Sequence, residues 1–170
     1  GADHDSVGPR REGEGFEHSS ARGDSYIARN VYTSHMHIQV GVKVLLKNPQ
    51  GKYLLIRRSP TDEVGAGKWD IPGGRMEYGS TMMENLAREV MEETGLIMTS
   101  EPKVLGIQDM IWPDRHVVRI THIGTIEGDP VMSEEHTEFK WVDLEDIFHF
   151  KDEEFDKHLR LLLEQNRASL

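Results

Sequence analysis

Three glutamates, Glu89, Glu92 and Glu93, stand at i, i+3 and i+4 within Arg88-Glu89-Val90-Met91-Glu92-Glu93-Thr94-Gly95-Leu96. On a helix, that spacing makes the carboxylates neighbours, and each like-charge pair costs about 0.2–0.5 kcal/mol. A helix built only to pack would more often alternate Glu with Lys. A cluster of hard oxygen donors suits a divalent cation such as Mg²⁺ or Mn²⁺. Taken alone, the three glutamates read equally well as a solvated acidic face. Ahead of them lies Ile71-Pro72-Gly73-Gly74. Small glycines let a backbone approach a ligand closely. The Gly73 carbonyl is therefore a candidate further metal ligand and Gly74 a candidate substrate contact; the alternative is a plain tight turn.

The glutamates need a helix to carry them. The spacing predicts one from about Thr81 to Thr94. Thr81 is its expected N-cap, with Glu84 completing a capping box. Gly95 is the expected left-handed stop. At 100° per residue, Met83, Leu86, Ala87, Val90 and Thr94 are expected on one side and the three glutamates on the other, with Asn85 beside them.

The flanking segments read as strands. His37 to Leu46 is apolar and β-branched, Asn48-Pro49-Gln50-Gly51 is a turn, and Tyr53 to Arg58 is the return strand. Arg57 and Arg58 stand where that strand ends. A guanidinium fork matches phosphate oxygens, so one or both are candidates to meet substrate; a solvated strand end is the alternative. Trp69-Asp70-Ile71 leads into the glycines. After the helix, Val104–Trp112 and His116–Ile126 read as strands, the second with clear alternation. Arg119 and His122 are read as ordinary strand residues. Trp112 is either a base-stacking residue or a core or rim tryptophan. Glu134–Glu138 reads as an acidic loop before a short strand, Phe139–Val142, and Asp143–Ile147 as a helical turn. Phe155, Leu159, Leu162 and Leu163 put an apolar stripe on a final helix from roughly Asp152 to Arg167. This order of elements fits an α+β fold, an α/β/α sandwich with a mixed β-sheet covered by helices on both sides.

The stretch Gly74–Leu96 resembles the signature of the Nudix, or MutT-like, hydrolases. Gly74, Arg88, Glu89, Val90, Glu92, Glu93, Gly95 and Leu96 fall where that signature asks. Ser80 stands where it asks for its first glutamate. The resemblance covers about Met36 to Leu163 and implies the Nudix fold. It also implies hydrolysis of a nucleoside diphosphate linked to another moiety, with Mg²⁺ or Mn²⁺ as cofactor. On that likeness Glu92 and Glu93 are metal ligands, and Glu89 either ligates metal or deprotonates water. Arg88 orients Glu89, and a further catalytic glutamate comes from the loop before the last strand. Glu135 is the choice there, with His136 and Glu138 as rivals. Ser80 removes one carboxylate and is expected to slow the enzyme or alter its metal preference; Glu77 is the nearby candidate to compensate. Val64–Trp69, the Pro-Gly-Gly run, Arg115–Val118 and Lys140–Asp146 look like the branch that cleaves nucleoside triphosphates, oxidised dGTP included, to monophosphate and pyrophosphate. The alternatives are an NDP-sugar or ADP-ribose pyrophosphatase, or a catalytically weak nucleotide-binding module. The resemblance also leaves room for a homodimer.

Composition bounds the rest. The 170 residues suffice for one domain with a real core. There is no cysteine, hence no disulfide framework and no thiol chemistry. No apolar run approaches the roughly 20 residues that span a membrane, and no signal-peptide pattern opens the chain. A cytoplasmic protein without a membrane partner is the simplest expectation. The net charge of −10 disfavours binding duplex nucleic acid through its phosphates. It does not oppose a small-molecule nucleotide substrate, because a bound cation inverts the local field. Residues 1–35 are rich in Gly, Ser and charge, the composition of a disordered extension or an expression leader, with Ser34-His35-Met36 resembling a cloning junction. The alternative is an extension that docks through Phe16, Tyr26, Ile27, Val31 and Tyr32. The Nudix-like domain is expected to occupy 36–170.

Overall fold

A computed structural model describes residues 37–170. The expectations for the N-terminal 35 residues and for a start at Met36 lie outside the described residues. Strand β1 (His37–Lys47) leads through a turn into β2 (Tyr53–Arg58). Asn48 builds that turn: its side-chain oxygen accepts from the Gln50 and Lys52 amides at 3.1 and 2.8 Å. The two strands pair antiparallel at Lys47 and Tyr53 and then part like a fork. The next segment fills the fork. β3 (Trp69–Asp70) pairs with β2. The chain then crosses to β1, where the Val44 and Val42 amides donate to the Pro72 and Gly74 carbonyls, each at 2.9 Å. This crossing fixes Gly73 and Gly74 against the middle of the sheet.

Helix α1 (Met82–Thr94) follows, then β4 (Lys103–Ile111), β5 (Arg115–Thr125) and β6 (His136–Val142). β5 lies parallel to β1 in unbroken register from His37–Arg115 to Lys47–Thr125, β4 is antiparallel to β5, and β6 is antiparallel to β2. The sheet is therefore mixed, as expected. Short helices α2 (Leu144–His149) and α3 (Lys157–Gln165) close the chain. Strand alternation divides the core between two faces. Val42, Val44, Leu46, Leu54 and Ile56 pack against Leu86 and Val90 of α1. Leu45, Tyr53, Leu55 and Ile71 pack against Ile147, Phe155, Leu159 and Leu163 of the C-terminal helices. The result is the α/β/α sandwich.

Three details depart from expectation. β6 begins at His136, inside the supposed acidic loop, because Arg57 and Arg58 of β2 offer pairing partners as far as Glu138 and His136. α3 begins at Lys157, not near Asp152: the Asp156 carboxylate caps the His158 and Leu159 amides at 2.7 and 3.1 Å. On α1, Met83 and Ala87 are exposed, whereas Asn85 and Glu93 are buried with Leu86, Val90 and Thr94. Glu93 does not belong with an outward acidic face. Seven residues of helix bring it to within about 20° of Leu86 around the axis.

Candidate active site

The ends of α1 form as their sequence requires. Thr81 Oγ1 accepts the Glu84 amide at 3.3 Å, the Glu84 carboxylate accepts the Thr81 amide at 2.8 Å, and Gly95 turns left-handed at φ 69°. Buried Asn85 ties the preceding loop to the helix. Its oxygen accepts the Glu77 amide at 3.0 Å, and its amide nitrogen donates to the Arg75 carbonyl at 3.2 Å. Ser80 adds no carboxylate to this loop; its acidic side chain, Glu77, lies 3.4 Å from Arg88.

Arg88 donates to Glu89 at 2.7 Å and to Glu92 at 2.6 Å, so one guanidinium aligns both carboxylates. Glu92 stays largely exposed. Glu89 points at Gly74: a Cβ on that glycine would stand 2.6 Å from the Glu89 carboxylate. Partial burial raises the Glu89 carboxyl, Arg88 opposes the rise, and Glu92 and Glu135 add to it.

Glu93 is 5% exposed and accepts the Gly73 amide at 2.8 Å. Desolvation, opposed by Lys43 and the Gly73 hydrogen bond and reinforced by Asp70 and Glu89, pushes its carboxyl up to about 8. Its other oxygen lies 3.7 Å from His136 Nε2. Burial, with the Lys43 and Arg58 cations nearby, lowers the His136 imidazole to about 4, so it is neutral and this contact is not an ion pair. Glu93, exposed Glu135 and buried His136 each bring a ligand atom to within 4.8 Å of the others. Oxygen donors, a neutral imidazole and a carboxylate that resists ionising alone all fit a divalent cation.

Glu89, Glu92, Glu93 and Glu135 face a cleft of about 870 Å³, lined also by Arg58, Arg75, Met76 and Ser133. Past Arg58, Gly73, Gly74 and Arg75, which both spaces share, a second cavity of about 550 Å³ opens. Lys43, Asp70 and Arg119 line it, with Trp112 and Arg115 among its outer residues. The Arg115 guanidinium sits 5.4 Å from the centre of the Trp112 ring. Arg119 is buried and paired with Asp156 at 2.5 Å.

The structure thus brings Glu89, Glu92, Glu93, Glu135, Arg88, Arg58, Gly73 and Gly74 to one cleft and Trp112 to its extension. Arg57 lines neither space. Successive strand side chains face opposite sides, so Arg57 points away from Arg58, to Glu138 at 2.6 Å and to the Trp69 ring. That pairing also takes Glu138 away from the cleft. The Gly73 carbonyl faces Lys43 Nζ at 3.4 Å, and the Gly74 carbonyl is used by β1. Sequence reasoning passed over Lys43 and Asp70. The Lys43 ammonium donates to Asp70 at 2.7 Å and to the Ile71 carbonyl at 3.0 Å. Burial opposes ionisation of Asp70, but Lys43, Arg119 and Arg58 outweigh it and hold the carboxyl at about 2. The signal was present: each is a lone charge inside an apolar strand run, which demands a partner.

The NUDIX domain model matches residues 37–163, and the chain belongs to the Nudix family. It is 34% identical over 124 residues to the ADP-ribose pyrophosphatase of Methanocaldococcus jannaschii, covering 68% of each chain. It is 30% identical over 104 residues to a putative 8-oxo-dGTP diphosphatase of Bacillus subtilis, covering 60% of this chain and 64% of that one. The crystal structure of a MutT protein from Methanosarcina mazei matches with a TM-score of 0.71 at 32% identity, covering 79% of this chain and 96% of that one. Against the m7GpppN-mRNA hydrolases of Xenopus laevis and Danio rerio, the chain spans 26% of the relative's length. Among the described residues, no helix is long and apolar enough to cross a membrane.

Proposed function

We propose that this Nudix protein is a metal-dependent pyrophosphohydrolase that cleaves a nucleoside triphosphate, oxidised dGTP included, to the monophosphate and pyrophosphate. The observation that carries this reading is a pair of adjoining spaces that share Arg58, Gly73, Gly74 and Arg75 as walls. A carboxylate-rich cleft holding Glu89, Glu93 and Glu135 adjoins, at Arg58, a cavity lined by Trp112 and Arg115. The first part has the chemistry for a polyphosphate and the second the size and edge for a nucleoside.

Glu93, Glu135 and His136 would hold Mg²⁺ or Mn²⁺, with Glu89 and Glu92 alongside, and the bound cation would supply charge neutralisation at phosphate. The chain's own residues do the rest. Glu89, held by Arg88 against Gly74, is placed to accept a proton from attacking water, and its raised carboxyl makes it a better base near neutrality. Arg58, whose guanidinium pairs with Asp62 at 2.5 Å and Asp70 at 3.4 Å, would turn part of that fork to phosphate oxygens. Trp112 presents a ring edge or face at the mouth of the nucleoside cavity.

The archaeal relative named ADP-ribose pyrophosphatase supports a second reading, in which that molecule is the substrate. A panel of nucleoside triphosphates, oxidised dGTP, ADP-ribose and NDP-sugars with Mg²⁺ separates the two. Pyrophosphate and a monophosphate from a triphosphate are the expected products. AMP and ribose phosphate at a higher kcat/KM favour the second reading. Saturable binding with no turnover of any member overturns both in favour of a binding module.

A further inference from the structure

Lys43 is the one charge in the run Val40-Gly41-Val42-Lys43-Val44-Leu45-Leu46 of β1. Its side chain is 13% exposed, and all its polar contacts are internal. The ammonium reaches Asp70 Oδ2 at 2.7 Å, the Ile71 carbonyl at 3.0 Å and the Gly73 carbonyl at 3.4 Å. Three donors thus meet three acceptors, all on the segment that crosses the fork between β2 and β1. The next link runs the other way along that segment. The Gly73 amide donates to Glu93 Oε2 at 2.8 Å, and among the described residues it is the one hydrogen bond to the buried Glu93 carboxylate. Gly73 cannot be replaced as a hinge: its φ is +128°, and a Cβ would lie 2.2 Å from the Val42 carbonyl. The Pro72–Gly73 peptide that carries this amide is held by β1, with the Pro72 carbonyl accepting the Val44 amide at 2.9 Å, and Lys43 ties the carbonyls of the peptides on either side.

We infer that Lys43 is a positioning residue for the cation site: by tying the Ile71–Gly73 turn, it aims the Gly73 amide at Glu93 and so sets where that carboxylate meets a divalent cation. This rests on the reading of the cleft as a metal-dependent hydrolase site. Simple charge repulsion predicts the opposite effect. A cation beneath the site disfavours a second cation there, so if electrostatics alone mattered, removing the Lys43 charge would tighten metal binding, and removing it together with the Asp70 charge would leave binding near native. Positioning predicts weakening. Partners that orient metal ligands are typically worth about 10–100-fold in affinity.

The test uses the full chain and Mn²⁺ alone, with free Mn²⁺ read by electron paramagnetic resonance and folding by thermal melting. Lys43→Met by itself strands the Asp70 carboxylate in the interior. The main variant is therefore Lys43→Met combined with Asp70→Asn, which removes both charges together. A second variant, Lys43→Arg, keeps the compensating charge but not the compact ammonium. The expected result is that a folded variant binds Mn²⁺ at least 10-fold more weakly than the native protein, and that raising Mn²⁺ restores kcat with the nucleotide KM unchanged. A purely structural role would shift melting without this rescue by metal. Native-like or tighter Mn²⁺ binding in either folded variant overturns the inference alone. A native protein that neither binds Mn²⁺ nor hydrolyses any nucleotide overturns the hydrolase reading itself and the inference with it.

Discussion

Gly74→Ala isolates the role of Glu89 from the stability of the fold. The Cβ it adds would lie 2.6 Å from the Glu89 carboxylate, where ordinary contact begins at 3.4 Å. The backbone at Gly74 lies outside the left-handed region, so alanine brings no backbone strain there. What must move is the end of a flexible side chain, by about 0.8 Å, and Arg88 must follow or let go. An off-rotamer adjustment of this kind costs about 1 kcal/mol. Misplacing a reacting group by about 1 Å costs on the order of 10²-fold in rate. The expected variant is folded, melts close to the native protein, and releases pyrophosphate about 100-fold more slowly at saturating Mg²⁺. Gly73→Ala is the contrast. Its Cβ meets main chain, 2.2 Å from the Val42 carbonyl, at a φ that disfavours alanine. Strain there costs at least about 1–3 kcal/mol, so melting falls together with activity. A folded Gly74→Ala protein with native turnover would show that Glu89 has no part in the reaction from its present place.

Two further expectations concern charge. Glu93 has its carboxyl raised from 4.5 to about 8 in the folded chain. A raised folded value means the metal-free fold is favoured below pH 4.5 and loses that contribution as pH climbs to about 8, by at most about 1.4 kcal/mol per unit. A cation needs the ionised form, so the rise in melting temperature caused by Mg²⁺ is expected to grow between pH 6 and 8.5. Glu93→Gln is expected to abolish that growth and cut turnover by at least ~10²-fold; a shift independent of pH in the native protein refutes the assignment. At position 80, Ser80→Glu returns a carboxylate to the loop that Asn85 and Arg88 hold beside the cleft. Mg²⁺ half-saturation is expected to fall about 3–10-fold, as one more anion near an oxygen-donor site should produce; an unchanged value places position 80 outside the cation's reach.

Much of α1 was legible because its determinants are local. Thr81, Glu84 and Gly95 satisfy the helix ends with groups three or four residues away, so contiguous sequence suffices. The strand pattern and the apolar stripe of Leu159 and Leu163 were equally readable, because period-2 and period-3.6 burial are properties of short windows. The limits also have particular causes. A helical wheel drawn with every charge facing water sets Glu93 apart from Leu86, although only about 20° divides them. Burial of Glu93 requires the Gly73 amide, which arrives from 20 residues away.

The sequence by itself determined the spacing of Glu89, Glu92 and Glu93, the capped helix that carries them and the glycines that precede it. Those are relations between neighbours, and local hydrogen bonding and helical periodicity decide them. Only the tertiary structure decided which neighbours of neighbours meet. It took the pairing of β2 with β6 to set Glu138 opposite Arg57, on the side of the sheet away from the cleft. It took the pairing of β6 with β2 to bring Glu135 and His136 to Glu93, and the fork between β1 and β2 to set Lys43 under Gly73. Strand order and register are set by burial summed over the whole sheet, and no short stretch of sequence contains that sum.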